Sequence, residues 1–371
     1  MTERGQGWEL HLGDSLEILR TLPAGSVDSC VTDPPYFLGA QPDTEAMLKA
    51  WLSGEEFRPG GRGFMGCSWD STLPGPALWR EVSRVLKPGA HVLAFGGSRT
   101  FDLLAVGLRL AGLEVRDTLS WLYGSGFPKS LNVSKSFTAA GDEEAGEWWS
   151  GFGTALKPAW EPVVLARKPL VGTVCENLKV HSCGALNLDA GRHSPEPWSK
   201  NTTGSRDLGG PEARNPALRF GMRITEKHSN EAGRFPANVI LDAAAADQLG
   251  GASRFFYTAK ASVTEREAGL EGHELKPAGG MEGRRDGSLG GEPVQRRNAH
   301  PTVKPLDLME YLVRLVTPPG GIVLDPFTGS GSTGAAALRL GFCFVGVELS
   351  EEYHNTASAR LRYFNAEGLF S

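Results

Sequence analysis

The sequence predicts an α/β fold built around a mostly parallel sheet, and three observations support it. Short apolar strands alternate with amphipathic helices towards both ends of the 371-residue chain. A glycine-rich turn between a predicted strand and a predicted helix near the C-terminus is a Rossmann-like signature. A loop-rich stretch separates the two regular regions. We therefore expect one sheet assembled from both regions, with an insertion between them.

Composition indicates a folded protein with room for a sizeable core. Apolar residues make up 40% of the chain, and its length suits one large domain or two ordinary ones. The formal net charge of -5 does not by itself indicate a nucleic-acid binder, although local basic patches matter more than the sum. Because neither a signal peptide nor a long apolar run is visible, we expect a cytoplasmic protein with no membrane partner.

The five cysteines predict neither a disulfide framework nor a metal centre. No two of them have C-x-x-C spacing. Cys175, His181 and Cys183 lie close in sequence, but a zinc site needs a fourth ligand that this stretch does not supply. We therefore expect no metal.

The N-terminal part, residues 1–170, alternates strand and helix signals. The predicted strands are residues 27–32, 91–95, 115–123 and 162–166, and the predicted helices are residues 79–86 and 101–110. Lys87-Pro88-Gly89 is a turn signal that should separate the first helix from the next strand. Strands separated by helices indicate parallel neighbours.

The first of these strands ends in the tetrapeptide Asp33-Pro34-Pro35-Tyr36. Open α/β sheets bind their ligands at this end of the strands. Two successive prolines hold the backbone extended and leave its carbonyls unpaired. A carboxylate, carbonyl acceptors and an aromatic face suit a planar group that carries an exocyclic amine. A strand end followed by a proline-rich turn is the structural alternative.

The middle stretch, residues 171–298, is rich in Gly, Ser, Asn and Pro, with charges of both signs interspersed. Apolar islands at residues 237–241 and 255–257 predict partial order rather than a wholly disordered insertion.

The C-terminal part, residues 299–371, regains a regular pattern. The predicted helices are residues 305–316, 332–340 and 351–364, and the predicted strands are residues 321–325 and 342–348. Between the first strand and its helix, Gly329, Gly331 and Gly334 satisfy G-x-G-x-x-G. Glu348 ends the next strand, where a carboxylate can accept hydrogen bonds from ribose hydroxyls.

A nicotinamide dehydrogenase is the first functional interpretation of this glycine loop, residues 326–334. Only about forty residues follow Gly331, too few for a complete dinucleotide-binding sheet. The remaining strands must come from the N-terminal part, which brings the tetrapeptide to the same sheet edge as the cofactor. A dehydrogenase has no evident use for that tetrapeptide. The chain also lacks G-x-x-x-x-G-K-[ST], so a P-loop NTPase is not supported.

The tetrapeptide together with residues 325–331 resembles the amino-group DNA methyltransferases that use S-adenosylmethionine. The order, tetrapeptide first and cofactor loop last, is similar to that of their β group, which carries its target-recognition region in between. Gly13-Asp14 and residues 300–305 also resemble this group. Residues 123–130 and 156–162 look like segments of phage and prophage site-specific enzymes. The resemblance is poor over residues 194–298.

The resemblance implies a permuted Rossmann-like methyltransferase sheet with an inserted, loop-rich target-recognition region. Residues 1–170 would form the half with the catalytic tetrapeptide, residues 171–298 the target-recognition region, and residues 299–371 the half with the cofactor loop. It also implies a cytoplasmic enzyme, bacterial or phage-encoded, that acts on double-stranded DNA. Related enzymes are often dimers and can have a cognate restriction endonuclease, so both partners stay open.

The implied reaction is site-specific methylation of the N6 amine of an adenine flipped out of duplex DNA, with cytosine N4 as the alternative. In the family, Asp at the first tetrapeptide position favours adenine and Ser favours cytosine, without a strict division. RNA or protein-glutamine methylation fits less well, since those relatives usually carry Asn first. An inactive DNA-binding regulator is the alternative from another class. The intact Asp33, Tyr36, Gly329 and Glu348 argue against it.

The resemblance also assigns roles to residues. Asp33 and the Pro34 carbonyl would accept the amino hydrogens, and Tyr36 would stack on the base, so that the catalytic set is Asp33, Pro34, Pro35 and Tyr36. The cofactor set is Asp14, Asp33, Thr302, Lys304, Asp325, Phe327, Gly329, Gly331 and Glu348. Lys304 as a solvated charge and Asp14 as a helix N-cap are the structural alternatives.

Contacts to DNA follow less directly from the sequence. The candidates are Lys129, Lys157, Arg284, Arg285, Arg296 and Arg297, with Lys135 as a further loop lysine. For each of them a solvated surface charge is the alternative. Trp148 and Trp149 are expected in the core or an interface rather than against a base.

Overall fold

The structure, a computed structural model, describes residues 1–37, 43–57, 73–124, 126, 130–192, 234–260, 262–277 and 295–368. The strands in these ranges are β1 (Thr2–Gly5), β2 (Trp8–Leu12), β3 (Val27–Thr32), β4 (Leu86–Phe95), β5 (Glu114–Leu122), β6 (Trp160–Arg167), β7 (Val239–Asp242), β8 (Tyr257–Ala259), β9 (Lys276–Pro277), β10 (Gln295–Arg296), β11 (Ile322–Asp325) and β12 (Cys343–Glu348).

Twelve α-helices lie in the same ranges. They are α1 (Ser15–Thr21), α2 (Thr44–Ser53), α3 (Pro76–Val85), α4 (Phe101–Leu110), α5 (Val133–Ala139), α6 (Glu143–Trp148), α7 (Val174–His181), α8 (Ala243–Leu249), α9 (Val263–Glu267), α10 (Leu306–Val316), α11 (Ser332–Arg339) and α12 (Glu351–Gly368). Several begin with a side-chain cap that satisfies a free backbone N–H, as Asp14 does for α1 and Asp242 for α8. No helix of the described ranges has the length and apolar character to cross a bilayer.

Ten of the strands form one sheet in the order β1-β2-β12-β11-β3-β4-β6-β5-β7-β8. All neighbours are parallel except where β1 meets β2 and where β6 meets β4 and β5. The short strands β9 and β10 pair separately. This confirms the predicted α/β class and the sheet assembled from both ends of the chain, with the last strands in sequence, β11 and β12, lying inside it between β2 and β3.

Helices cover both faces of the sheet, and alternate strand residues supply the two cores. Leu93 and Phe95 of β4 pack with α10, α11 and α12 on one face, while Val92 and Ala94 pack with α1, α3 and α4 on the other. All six residues of β3 are buried. Such burial on both faces is typical of a central parallel strand.

The predicted turn at residues 87–89 was wrong, because these residues belong to β4. Helix α3 ends at Val85 and the strand starts at once with Leu86. The pairing of β3 with β4 is irregular there, and Gly89 has a φ of 78°. A bulge absorbs the Pro-Gly pair, since proline donates no ladder hydrogen bond and glycine accepts the left-handed conformation.

The middle stretch contributes to the same sheet. Its strands β7 and β8 extend the edge beyond β5 in parallel pairing. The apolar island at residues 237–241 therefore supplies most of β7, which lies between β5 and the edge strand β8, as its partial-order prediction allowed. Trp198 and Phe220 lie outside the described residues.

Candidate active site

The tetrapeptide and the glycine loop meet where the connections of the sheet diverge. Strand β3 leads on to β4 on one side, whereas β11 leads to β12 on the other. In open α/β sheets such a switch point forms the ligand crevice at the carboxyl ends of the strands. Thr32, the last residue of β3, donates from Oγ1 to Asp325 Oδ1 at 2.7 Å. This hydrogen bond ties the residue before Asp33 to the residue before the glycine loop.

The glycine loop depends on backbone conformations and close approaches that only glycine allows. Gly329 and Gly331 have φ values of 52° and 83°. A Cβ at Gly329 would lie 2.9 Å from His300 Nε2, and one at Gly331 would lie 3.2 Å from Ala357. The buried Arg360 donates from Nη1 to the Ser330 carbonyl at 2.6 Å. The two glycines therefore let His300 and Ala357 pack directly against the loop backbone, and Arg360 fixes that backbone from α12.

Glu348 lies directly beside this loop at the end of β12. Its Oε2 accepts from the Gly329 N–H at 2.7 Å and its Oε1 from the Ser350 N–H at 2.8 Å. Burial raises the pKa of Glu348 to about 7, although the backbone hydrogen bonds oppose the shift. With backbone N–H groups of Gly329, Leu349 and Ser350 bound, the carboxylate keeps acceptor capacity for one more donor, so acceptance from a ribose hydroxyl stays a prediction.

Asp325 is 2% exposed beneath the loop. Besides Thr32, it accepts from the Phe327 N–H at 3.0 Å, which holds the turn after β11. Burial raises the pKa of Asp325 to about 6, and its hydrogen bonds oppose the shift. Its contact with a methionine amino group stays a prediction.

Asp14 follows β2, and the Gly13 N–H donates to the Glu348 carbonyl at 2.9 Å. Asp14 therefore lies at the same sheet edge as Glu348. Its Oδ1 caps α1 by accepting from the Glu17 N–H at 3.1 Å, so the N-cap interpretation is confirmed. The contact with an adenine edge stays a prediction, with Oδ2 as its acceptor.

The side chains of the tetrapeptide belong to one hydrogen-bonded cluster. Tyr36 donates from its hydroxyl to Asp33 Oδ1 at 2.6 Å, and Lys304 Nζ donates to Asp33 Oδ2 at 2.5 Å. The Tyr36 carbonyl accepts from Thr100 Oγ1 at 2.7 Å, which anchors the backbone. Phe37, the next residue, is buried with a φ of 57°, an unusual conformation for a bulky side chain. Backbone strain of this kind clusters at functional sites.

Lys304 is buried, which excludes the solvated-charge interpretation. Only 7% of its side chain is exposed, and its ammonium lies 5.0 Å from the Phe95 ring centre and 5.6 Å from that of Tyr36. Desolvation alone would lower the pKa of Lys304, but the Asp33 and Glu161 carboxylates together raise it. Lys304 is thus a firmly charged member of the cluster.

His300 and Thr302 precede Lys304 at the edge of the glycine loop. The His300 ring packs edge-on against Tyr353 with centres 4.5 Å apart, and its Nδ1 accepts from the Thr302 N–H at 3.3 Å. Burial, aided by nearby cations, lowers the pKa of His300 to about 3, so the ring is neutral. The Thr302 side chain is exposed.

Sequence reasoning missed Glu161. It lies in residues 156–162, which were recognised as a family-like segment without a role. Its Oε2 accepts from the Tyr36 hydroxyl at 3.2 Å and lies 3.5 Å from Lys304 Nζ. Because β6 runs antiparallel to its neighbours, it starts at the edge where β3 and β5 end. That direction was the missing signal, since a parallel β6 would place Glu161 at the opposite edge.

The candidate DNA contacts are scattered. Lys157 is exposed and its Nζ donates to the Gly124 carbonyl at 2.6 Å, in the insertion between β5 and β6. Arg296 lies in β10, and the Arg297 guanidinium lies 3.6 Å from Glu267. Lys129, Arg284 and Arg285 lie outside the described residues.

Lys135 was predicted in a loop but lies in α5. Trp148 and Trp149 are 79% and 40% exposed, so the core interpretation of this pair was wrong. An interface role for them stays a prediction. Among the described residues, no three His, Cys, Asp or Glu side chains are grouped to hold a metal ion.

Two curated proteins are similar in sequence to this chain. A type II methyltransferase, M.HindIII of Haemophilus influenzae, is 25% identical over 373 residues, which cover 95% of this chain and 94% of that protein. The putative methylase YubD of Escherichia coli is 50% identical over 62 residues, or 17% of this chain and 27% of its own length.

Solved structures of similar outline include the PvuII DNA methyltransferase (cytosine-N4-specific), with a TM-score of 0.49 and 14% identity over 98% of this chain and 93% of that one. The M1.HpyAVI–SAM complex has a TM-score of 0.42 and 18% identity over 95% of this chain and 100% of that one.

The DNA methylase family model matches residues 27–359. The match spans the tetrapeptide, the whole middle stretch and the glycine loop. It confirms the resemblance stated from the motifs, and with it S-adenosylmethionine as the cofactor of this class. The chain therefore belongs to the family of DNA methylases that modify N6 or N4 amino groups.

Proposed function

We propose that the protein is a site-specific DNA methyltransferase that methylates the N6 amine of a flipped adenine in duplex DNA. The observation that carries the proposal is the Thr32–Asp325 hydrogen bond, which sets Asp33 and the glycine loop side by side at the switch point of the sheet. A carboxylate beside a nucleotide-binding loop suits the delivery of an exocyclic amine to a bound cofactor.

The residues present fit S-adenosylmethionine. The left-handed conformations of Gly329 and Gly331 turn the loop tightly after β11, and Glu348 retains acceptor capacity for a ribose hydroxyl. When bound, the cofactor supplies an electrophilic methyl group on a sulfonium. Thr302 and Asp14, at either side of the loop, are the proposed further contacts.

Asp33 and the Pro34 carbonyl act on the target amine. The amine is a poor nucleophile because the lone pair of its nitrogen is delocalised into the base. By accepting one amino hydrogen each, the two acceptors favour a pyramidal nitrogen whose lone pair can point at the methyl group. Positive charge grows on that nitrogen in the transition state, so a carboxylate stabilises the transition state more than the ground state. Holding the amine nitrogen in line with the methyl group of the bound cofactor would supply the remaining rate enhancement.

Tyr36 has two functions in this proposal. Its ring stacks on the base, while its hydroxyl fixes Asp33 through the 2.6 Å hydrogen bond. An amine inside a stacked duplex cannot meet the cofactor in line, so the base is flipped out of the helix. Cytosine N4 is the second candidate, since the same acceptors would serve its amine. The aspartate at position 33 favours adenine.

Residues 171–298 are the proposed target-recognition region, and their β7 and β8 attach it to the catalytic sheet. We also propose that the protein forms a homodimer, that it has a cognate restriction endonuclease, and that it lies in the cytoplasm. M.HindIII is itself called a type II methyltransferase, which favours the restriction–modification setting.

The test is a nucleoside analysis. The protein is incubated with methyl-labelled S-adenosylmethionine and mixed-sequence duplex DNA, and the DNA is digested to nucleosides. We expect labelled N6-methyladenine. Labelled N4-methylcytosine would replace the adenine assignment with the second candidate, and no transfer by folded, cofactor-binding protein would overturn both.

A further inference from the structure

Glu161 enters the catalytic cluster from a strand that runs against its neighbours. It is the second residue of β6 and pairs in register with Trp121 of β5. About a fifth of its side chain is exposed, 22%, close to the 19% of Asp33. Its carboxylate contacts the Tyr36 hydroxyl and lies within ion-pair distance of Lys304. Glu161 therefore belongs to the same cluster without belonging to the tetrapeptide.

The charges of this cluster show why a second carboxylate matters. Lys304 Nζ lies 2.5 Å from Asp33 Oδ2 and 3.5 Å from Glu161 Oε2. If Asp33 and Lys304 stood alone, the ion pair would be neutral overall. Its field on a nearby cationic group would then be small, because the ammonium offsets the carboxylate. With Glu161 ionised, the three groups together carry one negative charge.

We propose that Glu161 is a positioning residue for methyl transfer, whose charge offsets Lys304 and thereby leaves the charge of Asp33 effective at the target amine. The inference rests on the proposed function. In that reaction the amine lone pair forms the N–C bond while the C–S bond breaks with its electrons left on sulfur. The nitrogen then releases one proton to solvent. Glu161 acts on the charge that grows on nitrogen, and it does so through Lys304 and Tyr36.

The groups facing Glu161 determine how pH should affect this role. They are Asp33, Tyr36, Lys304 and Tyr123. Burial raises the pKa of Glu161, Asp33 raises it further, and the Lys304 charge and the hydrogen bonds from Tyr36 and Lys304 oppose the shift. Since the proposal needs the ionised form, the effect of Glu161 should disappear as pH falls through this raised pKa.

The first test uses ligand binding and needs no turnover. Sinefungin carries a cationic amine where the cofactor carries its sulfonium methyl, whereas S-adenosylhomocysteine is neutral there. The ratio of their dissociation constants therefore measures the field at the transfer position. In Glu161→Gln the ratio should shift against sinefungin by about tenfold, while S-adenosylhomocysteine affinity stays near that of the wild type.

The second test restores the charge balance. Glutamine still accepts from the Tyr36 hydroxyl but leaves Lys304 offset only by Asp33. Adding Lys304→Met to Glu161→Gln removes the ammonium that neutralises Asp33 and returns the cluster to one negative charge. The single-turnover transfer rate of Glu161→Gln should fall about tenfold or more below that of the wild type. The double variant should recover the preference for sinefungin, and its transfer rate should exceed that of Glu161→Gln. A merely structural role predicts further loss instead of recovery.

Controls make each outcome decisive. Glu147→Gln removes an exposed carboxylate from α6, in the insertion that precedes β6, and should change neither readout. If Glu161→Gln does not fold, Glu161→Asp takes its place. This variant keeps the charge and should keep the preference for sinefungin. Loss of that preference in Glu161→Asp would overturn the inference. Wild-type ligand preference and transfer rate in Glu161→Gln at about pH 8 would also overturn it. If wild-type protein transfers nothing to DNA, the proposed function fails while the binding ratio still tests Glu161.

Discussion

The glycine loop and the tetrapeptide lie side by side at one sheet edge but are held in place in different ways. The loop takes its shape mainly from left-handed glycines at 329 and 331, and Arg360 anchors its Ser330 carbonyl. The tetrapeptide takes its arrangement from side chains that arrive from three distant segments, namely Thr100, Glu161 and Lys304. The loop should therefore be sensitive to added volume, and the tetrapeptide to changed charge.

The largest effect is expected at the tetrapeptide, from Asp33→Asn. The substitution keeps the size of the side chain but removes the charge that stabilises the target amine. It also presents an amide N–H₂ group to an amine donor. Single-turnover methyl transfer should fall about a thousandfold, a loss typical of removing one preorganised polar group. S-adenosylhomocysteine affinity should change little, because the glycine loop is untouched.

A matched control for Asp33→Asn is Asp247→Asn, an exposed carboxylate in α8. Its transfer rate should equal that of the wild type. If Asp33→Asn lost cofactor affinity as strongly as transfer, the separation between charge-sensitive tetrapeptide and volume-sensitive loop would be wrong.

The next effect is expected in the loop, from Gly329→Ala. An added Cβ would meet the His300 ring at 2.9 Å, and the φ of 52° would strain an alanine. Movement of either group disturbs the Gly329 N–H bond to Glu348. Cofactor affinity, measured by calorimetry with S-adenosylhomocysteine, should fall about tenfold to a hundredfold.

Gly341→Ala separates strain from collision. Gly341 has a φ of 74°, yet nothing lies within 4 Å of the position of its Cβ. Alanine there should cost about 1 kcal/mol of folding stability without changing cofactor affinity. Equal loss of affinity in both variants would show that the close approach to His300 is irrelevant.

The same contrast explains what the sequence could reveal. The glycine loop was recognisable because its requirements are local: a strand, glycines at fixed spacing, and a carboxylate one strand later. Helix α4 and strand β3 formed with the predicted bounds for the same reason, since periodicity and burial are written in consecutive residues. The turn predicted at residues 87–89 was wrong because a Pro-Gly pair is typical of both a turn and a β-bulge.

The partners of the tetrapeptide could not be predicted in this way. The motif assigns Lys304 to the cofactor, which stays a prediction, but it gave no sign that the ammonium contacts Asp33, 271 residues away in sequence. Glu161 reaches the site only because β6 is antiparallel, and strand direction leaves no mark in a short apolar run. Arg360 fixes the loop from α12 for the same non-local reason.

The smallest effect concerns pH and again separates the two regions, because Glu348 hydrogen-bonds to the glycine loop and not to the tetrapeptide. Its pKa is raised by burial from an ordinary value of 4.5 to about 7. Between these values the folded apoprotein holds a proton that the unfolded chain has released, so apoprotein stability should fall as pH rises through this window. Asp325, with its pKa raised to about 6, adds to this trend.

Cofactor affinity should follow the opposite trend. Ribose hydroxyls donate to the ionised Glu348 carboxylate, so binding releases its proton and affinity should rise towards pH 7, then level off. Between about pH 6 and about pH 8 the gain should approach about tenfold by calorimetry with S-adenosylhomocysteine. Glu348→Gln should bind more weakly and lose this slope, keeping only the part below about pH 6 that Asp325 contributes. An unchanged slope in Glu348→Gln would place the titrating group away from the loop, at Glu161, whose pKa is also raised by burial.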